Sequence, residues 1–279
     1  MRFVLLHYHF FKNAGTTIEE ILAHSFGNFA RIDGPGREGD IPPGELLEFL
    51  NRHPSLVALS SHHFHYPVPE AAGFHFFDIC FLRDPLDRLR SIYDYFCQKP
   101  DPGDPMSDLA NLYGLGEFAE RALERFPQYV NDPQVSLLAN GGWSGPPRRA
   151  DLDQAIETMR NISFLGVVDR FNRSLVAGEY LLRPLFPNLN FAQPPANVSA
   201  EPGEGLEERL NRLRRSCRPR VYDELLRLNA LDYELLDQAR AEVELRFQLV
   251  PDGEARLQNL ERMLLHLEGA QECAVCLNA

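Results

Sequence analysis

Arg2-Phe-Val-Leu-Leu-His-Tyr-His9, then Phe10-Phe-Lys12-Asn13-Ala14-Gly15-Thr16-Thr17, then Ile18-Glu-Glu-Ile21-Leu22: an apolar run, a polar turn and a helical pattern follow one another. The run from Arg2 to His9 alternates little and is nearly all apolar or aromatic, as in a strand buried on both faces. Thr16–Phe26 has helical periodicity, with Ile18, Ile21, Leu22 and Phe26 on one side. Thr17-Ile-Glu-Glu20 has the form of a capping box at its start. A turn at such a junction aims free backbone N–H groups and the positive end of a helix dipole at one point. Gly15 lets the backbone approach an anion closely, Thr16 and Thr17 add hydroxyl donors, and Lys12 adds a mobile charge. The plain alternative is a strand-to-helix turn with capping threonines.

The turn is not the triphosphate loop G-x-x-x-x-G-K-[ST]. Its first glycine is absent, Lys12 precedes the remaining glycine, and no Ser or Thr follows that lysine to hold Mg²⁺. This order points to an anion bound without an obligatory metal.

Further along, Glu45–His53 reads as a short helix, Ser55–Ser61 and Phe74–Leu82 as strands, and Pro85 to about Gln98 as a helix. Asp108–Phe126 is mostly helical, Asp151–Arg160 is a helix, Ile162–Val168 a strand and Phe171–Leu185 helical again. This alternation predicts a parallel α/β sheet. From Leu206 to about Glu268 the pattern is almost continuously helical, interrupted near Pro219 and Pro251. The simplest parse is one domain over residues 1–250, followed by a C-terminal helix and tail over 251–279.

A second anion site is written in Cys80-Phe-Leu-Arg83-Asp84-Pro85-Leu-Asp87-Arg88-Leu-Arg90-Ser91. Asp84 is a good N-cap and Pro85 a good first helical residue, which places Arg83 at the carboxyl end of a strand. Open α/β sheets bind ligands there. Arg88 and Ser91 fall three apart on one helix face, where an arginine fork and a hydroxyl could grip a phosphate. A surface Arg–Asp network around Asp84, Asp87 and Arg88 is the equally weighted alternative.

Together the segments resemble the donor-binding motifs of the sulfotransferase superfamily, which uses 3′-phosphoadenosine-5′-phosphosulfate (PAPS). Lys12-Asn13-Ala14-Gly15-Thr16-Thr17 looks like that family's loop for the 5′-phosphosulfate, and Arg83 with Ser91 matches its pair for the 3′-phosphate. His9, Leu165-Gly-Val-Val-Asp-Arg-Phe171 and Asn229-Ala-Leu-Asp232-Tyr233-Glu-Leu235 are most similar to the carbohydrate branch that includes the heparan 2-O enzymes. The likeness runs in patches from about residue 3 to 247. It implies a P-loop-like three-layer α/β/α sandwich, PAPS as co-substrate without a metal, and a hydroxyl acceptor on a carbohydrate or glycoconjugate. Short acceptor-side loops and the acidic balance depart from the branch, and they bear on the acceptor rather than the donor.

Sulfuryl transfer needs a base for the acceptor's proton and a charge on the leaving phosphate oxygen. Lys12 is the candidate for the second role. For the first, Ser60-Ser61-His62-His63-Phe64-His65 ends a strand, and histidine suits base catalysis near neutrality. Relatives carry a Gly-His pair here; Ser61-His62 is the nearest match, so His62 is chosen with His63 as fallback. Strand alternation would put His63 and His65 on one face and His62 on the other. With His7 and His9 these histidines could instead hold a metal, but no carboxylate or cysteine accompanies them locally in the sequence.

Lys plus Arg is 28 against 40 for Asp plus Glu, giving a net charge of −12. Such a chain is a poor general binder of nucleic acid. No apolar run reaches the length of a bilayer span and no export signal is read, so a cytoplasmic protein is expected. Five scattered cysteines are no disulfide framework, and Cys273-Ala-Val-Cys276 reads as two incidental tail thiols. Leu257, Leu260, Met263, Leu264 and Leu267 suit a helix packing on the domain or on a second subunit of a homodimer. Competing readings are a nucleotide kinase or NTPase, and a non-catalytic nucleotide-binding protein on the same fold.

Overall fold

The structure, a computed structural model, describes residues 1–33, 39–193 and 204–277, the last ten of these for backbone alone. The chain opens with β1 (Arg2–Tyr8), α1 (Gly15–Ser25), β2 (Phe29–Arg31), α2 (Pro43–Arg52), β3 (Ala58–Ser61) and β4 (Phe74–Leu82). Helices α3 (Pro85–Gln98), α4 (Pro105–Leu112), α5 (Leu115–Arg125), α6 (Pro127–Val130), α7 (Pro133–Asn140) and α8 (Arg149–Asn161) follow. Then come β5 (Phe164–Val167), a 3₁₀ turn, α9 (Phe171–Leu182), α10 (Leu206–Ser216), α11 (Pro219–Leu228), α12 (Ala230–Gln248) and α13 (Gly253–Leu277). These elements belong to two compact units, residues 1–81, 160–197 and 239–279 forming one and 82–159 with 198–238 the other.

The first unit is built on a parallel sheet of five strands among the described residues, in the order β2-β3-β1-β4-β5. Leu5 pairs with Ala58 on one side of β1 and with Phe77 on the other. The fold is α/β, consistent with a three-layer α/β/α sandwich, as the alternation of apolar strands and helical stretches requires. The chain leaving β1 turns towards β2, whereas the chain leaving β4 continues towards β5. The strand order thus switches direction between β1 and β4, where open α/β sheets form a crevice at the strands' carboxyl ends. The loop after β1 is the Lys12 turn.

The first unit's core joins Leu5, Ile18 and Ile79 to Phe164, Leu175 and Phe247. Leu257, Leu260 and Leu264 of α13 are buried in the same core, so the helix beyond residue 250 packs on the sheet unit; Met263 and Leu267 remain exposed. In the second unit α3 is buried along most of its length, with Tyr93 against Phe118 of α5 at a ring separation of 5.2 Å. No helix among the described residues is long and apolar enough to cross a membrane.

Two expectations are corrected. The residue before α1 is Ala14, in the left-handed region at φ 63°, and it makes no side-chain cap bond. Thr17 lies inside the first turn, so the Thr17–Glu20 capping box does not form. β3 ends at Ser61, so strand alternation does not reach His62, His63 or His65.

Candidate functional site

The turn between β1 and α1 reverses the chain through two non-glycine residues in the left-handed region, Lys12 at φ 66° and Ala14 at φ 63°. Such residues cost of order 1–3 kcal/mol each and persist only where their surroundings over-determine them. Here the buried Asn13 between them donates its side-chain amide to Phe81 O at 2.8 Å, tying the turn to β4. Ala14, the residue before α1, supplies no capping side chain, and the first turn of α1 carries no acidic residue to oppose the helix's positive end. Lys12 and Thr16 are half-buried, and Thr17 is buried. Gly15 is required for a reason other than anion approach. A Cβ there would lie 1.9 Å from Cδ2 and 2.1 Å from Nε2 of His9, whose ring packs on the glycine.

His9 leads into a buried polar chain. Its Nδ1 donates to Glu19 Oε1 of α1 at 2.9 Å, and Ser60 Oγ of β3 donates to the same oxygen at 2.8 Å. Ser60 has one hydroxyl proton, so it accepts from His7 Nδ1 at 2.9 Å. Arg31 Nε of β2 binds the other carboxylate oxygen at 2.7 Å. Burial would raise the Glu19 carboxyl, but bonds from His9 and Ser60 and the charge of Arg31 hold it below its ordinary value. His7 is pushed far below the usual imidazole range by burial, then by His9, His62 and Arg31.

His62 follows β3 directly. Its Nδ1 donates to His9 O at 2.7 Å, its ring lies 3.8 Å from that of His9, and its own N–H is held by Asp33 Oδ1 at 2.9 Å. Nδ1 therefore carries the proton and Nε2 the lone pair. One edge of His62 is exposed, yet packing of its ring against protein, reinforced by His9, lowers its pKa to about 4. His63 turns elsewhere, its Nδ1 donating to Gly39 O at 2.7 Å.

The ligand atoms of His7, His9 and Glu19 lie within 4.8 Å of one another. The sequence reading found no carboxylate beside these histidines; α1 brings one. Two histidines and a carboxylate are a donor set that Zn²⁺-like ions accept. Against an ion, Arg31 already offsets the one carboxylate and would repel a cation. The bonds present describe a hydrogen-bonded relay.

In the second unit Asp84 caps α3 as expected, accepting from Leu86 N and Asp87 N at 3.0 Å each. An Arg–Asp network exists, but it is buried and centred on Asp87. Arg83 Nε and Nη2 both reach Asp87 Oδ2 at 2.7 Å, Arg209 Nε reaches Oδ1 at 2.8 Å, and Arg90 Nε reaches it at 3.2 Å. Burial opposes ionisation of Asp87; Arg83, then Arg209 and Arg90, bring its pKa down to about 2. Arg83 keeps 12% of its side chain exposed, whereas Ser91 is buried. Arg88 is buried as well and donates to Tyr129 O at 3.2 Å.

Sequence reasoning missed Glu19, Arg31, Asp33, Ser60, Arg209 and Gln134. Only Glu19 left a signal, a charge set among the apolar positions Ile18, Ile21 and Leu22 of an amphipathic helix. The loop from Asn197 to Gly205 falls largely outside the described residues, as do the side chains of Cys273 and Cys276.

No family model matches the chain. An uncharacterized protein of Archaeoglobus fulgidus is 28% identical over 249 residues, which cover 85% of this chain and 96% of that protein. The similarity thus spans both units.

Proposed function

We propose that the chain is a PAPS-dependent sulfotransferase acting on a hydroxyl of a carbohydrate or glycoconjugate. The observation that carries the reading is the start of α1 behind Lys12, with no acidic residue in its first turn, in the same unit as a histidine whose Nε2 lone pair is fixed. Lys12-Asn13-Ala14-Gly15-Thr16-Thr17 would hold the 5′-phosphosulfate, and Arg83 with Ser91 the 3′-phosphate, as the resemblance implies. Arg83 supports its part, because Asp87 keeps the guanidinium oriented and charged.

The reaction is an in-line displacement. The acceptor oxygen forms a bond to sulfur as the bond from sulfur to the 5′-phosphate oxygen breaks, and the electron pair leaves with that phosphate. His62 Nε2 takes the acceptor's proton, and Lys12 offsets the charge that grows on the leaving oxygen. His62 is preferred over His63 because its ring lies 3.8 Å from that of His9, which packs on Gly15 of the Lys12 turn, whereas His63 is directed to Gly39 O. Positioning and preorganised charge supply most of the acceleration in such group transfers.

The test is transfer of radiolabelled sulfate from PAPS to a panel of mono- and oligosaccharides in the presence of EDTA. A labelled sugar is expected. Phosphate transfer from ATP that needs Mg²⁺, with no label moved from PAPS, would identify a kinase instead.

A further inference from the structure

Arg83 stands between the last residue of β4 and the N-cap of α3, where neither a strand nor a helix satisfies its backbone. Both of its main-chain groups are nevertheless paired with one side chain. Gln134 Oε1 accepts from Arg83 N at 2.9 Å, and Gln134 Nε2 donates to Arg83 O at 2.8 Å. The amide thus grips the residue as a neighbouring strand would, 51 residues away in sequence. Its orientation is set in turn by Asp232 of α12, whose Oδ2 accepts from Gln134 Nε2 at 3.2 Å. The same carboxylate takes Gln134 N at 3.2 Å and Val135 N at 2.8 Å, fixing the backbone from which the glutamine projects. Gln134 is 1% exposed and Asp232 fully buried, so the grip has no competition from water.

We propose that Gln134, oriented by Asp232, is a positioning residue that fixes the direction of Arg83 and thereby selects nucleotides carrying a 3′-phosphate. The inference rests on the donor reading above. Asp87 restrains the guanidinium at its far end, and Gln134 restrains its root. A guanidinium held at both ends presents its fork in one direction, whereas one held only at Asp87 can pivot with the junction. The selectivity concerns the 3′-phosphate, the group that the donor reading assigns to Arg83.

The experiment is calorimetric titration of the full chain with adenosine 3′,5′-bisphosphate and with adenosine 5′-monophosphate. In wild type the bisphosphate binds more tightly, and Arg83→Ala abolishes the difference. Gln134→Met, close in size but unable to pair with the backbone, is expected to weaken the bisphosphate roughly tenfold to hundredfold and to leave the monophosphate unchanged. Asp232→Asn keeps Gln134 but cannot accept all three bonds, and it should move selectivity in the same direction. The ligand-free melting temperature checks each variant's fold, and either variant that stays folded decides the matter. Equal weakening of both nucleotides, or no change in either, overturns the positioning role while the donor reading stands. Absence of any preference in wild type removes the donor reading itself, and this inference with it.

Discussion

His62 carries a chemical commitment that a single pH profile can read. Because its Nδ1 proton is held by the His9 carbonyl and its pKa lies at about 4, its Nε2 is available as a base well below neutrality. The acid limb of kcat/KM for sulfate transfer is expected near pH 4; a limb centred on the ordinary imidazole range would contradict the assignment. His62→Ala should lower kcat roughly 10²- to 10⁴-fold, with His63→Ala near normal, and the opposite ranking would move the role to His63. The same shift bears on stability. Between about pH 4 and the ordinary value of 6.5 the unfolded chain holds a proton on His62 that the folded chain lacks, so stability falls as pH drops through that window. Gly15 gives a sharper structural test. Gly15→Ala drives a methyl into the His9 ring and should cost about 1–3 kcal/mol in denaturant unfolding. A His9→Ala background should remove most of that cost, and a full loss there would mean the glycine serves another purpose.

At the level of elements, α7 and α12 cap each other across the second unit. Asp132 precedes α7 but accepts from Asp232 N at 2.8 Å, while Asp232 receives the first N–H groups of α7. Burial, then repulsion from Asp232, pushes the Asp132 carboxyl up to about 7, and burial raises Asp232 too. Between about pH 4 and 7 the folded chain therefore holds a proton that the unfolded chain has lost, so this pair costs stability as pH rises through that window. Asp132→Asn cannot ionise. Its melting temperature relative to wild type should climb from pH 4 to 7 and then level off; a gap independent of pH would show that the pair does not titrate there. This exchange also explains what was legible in the sequence. The start of α3 follows from Asp84 and Pro85, and β4 from a mostly apolar run interrupted by His75 and Asp78, because local chemistry decides both. The cap of α7 comes from a residue 98 positions beyond Gln134, and β2 is three residues long, too short for any period to register. Glu19 and Ser60 are likewise joined only by the parallel packing of β1, β3 and α1.

For the whole molecule, a net charge of −12 makes any anion site an exception that must be built locally. The alternation of apolar strands and helical stretches was enough to specify a parallel α/β sheet, and the strand-to-helix turn after β1 was legible from residue order alone. The second unit was harder to read, since its Asp87 cluster draws Arg209 from 122 residues away. The central claim is that the chain binds a nucleotide phosphorylated at both ends. A thermal-shift titration with adenosine 3′,5′-bisphosphate in EDTA tests it most directly. Ligand at about a hundred times its Kd stabilises by about 2.7 kcal/mol, a rise of roughly 5 °C or more for a chain of this size. Wild type is predicted to show that rise and Arg83→Ala to lose most of it. A wild-type melting temperature that does not move would contradict the claim.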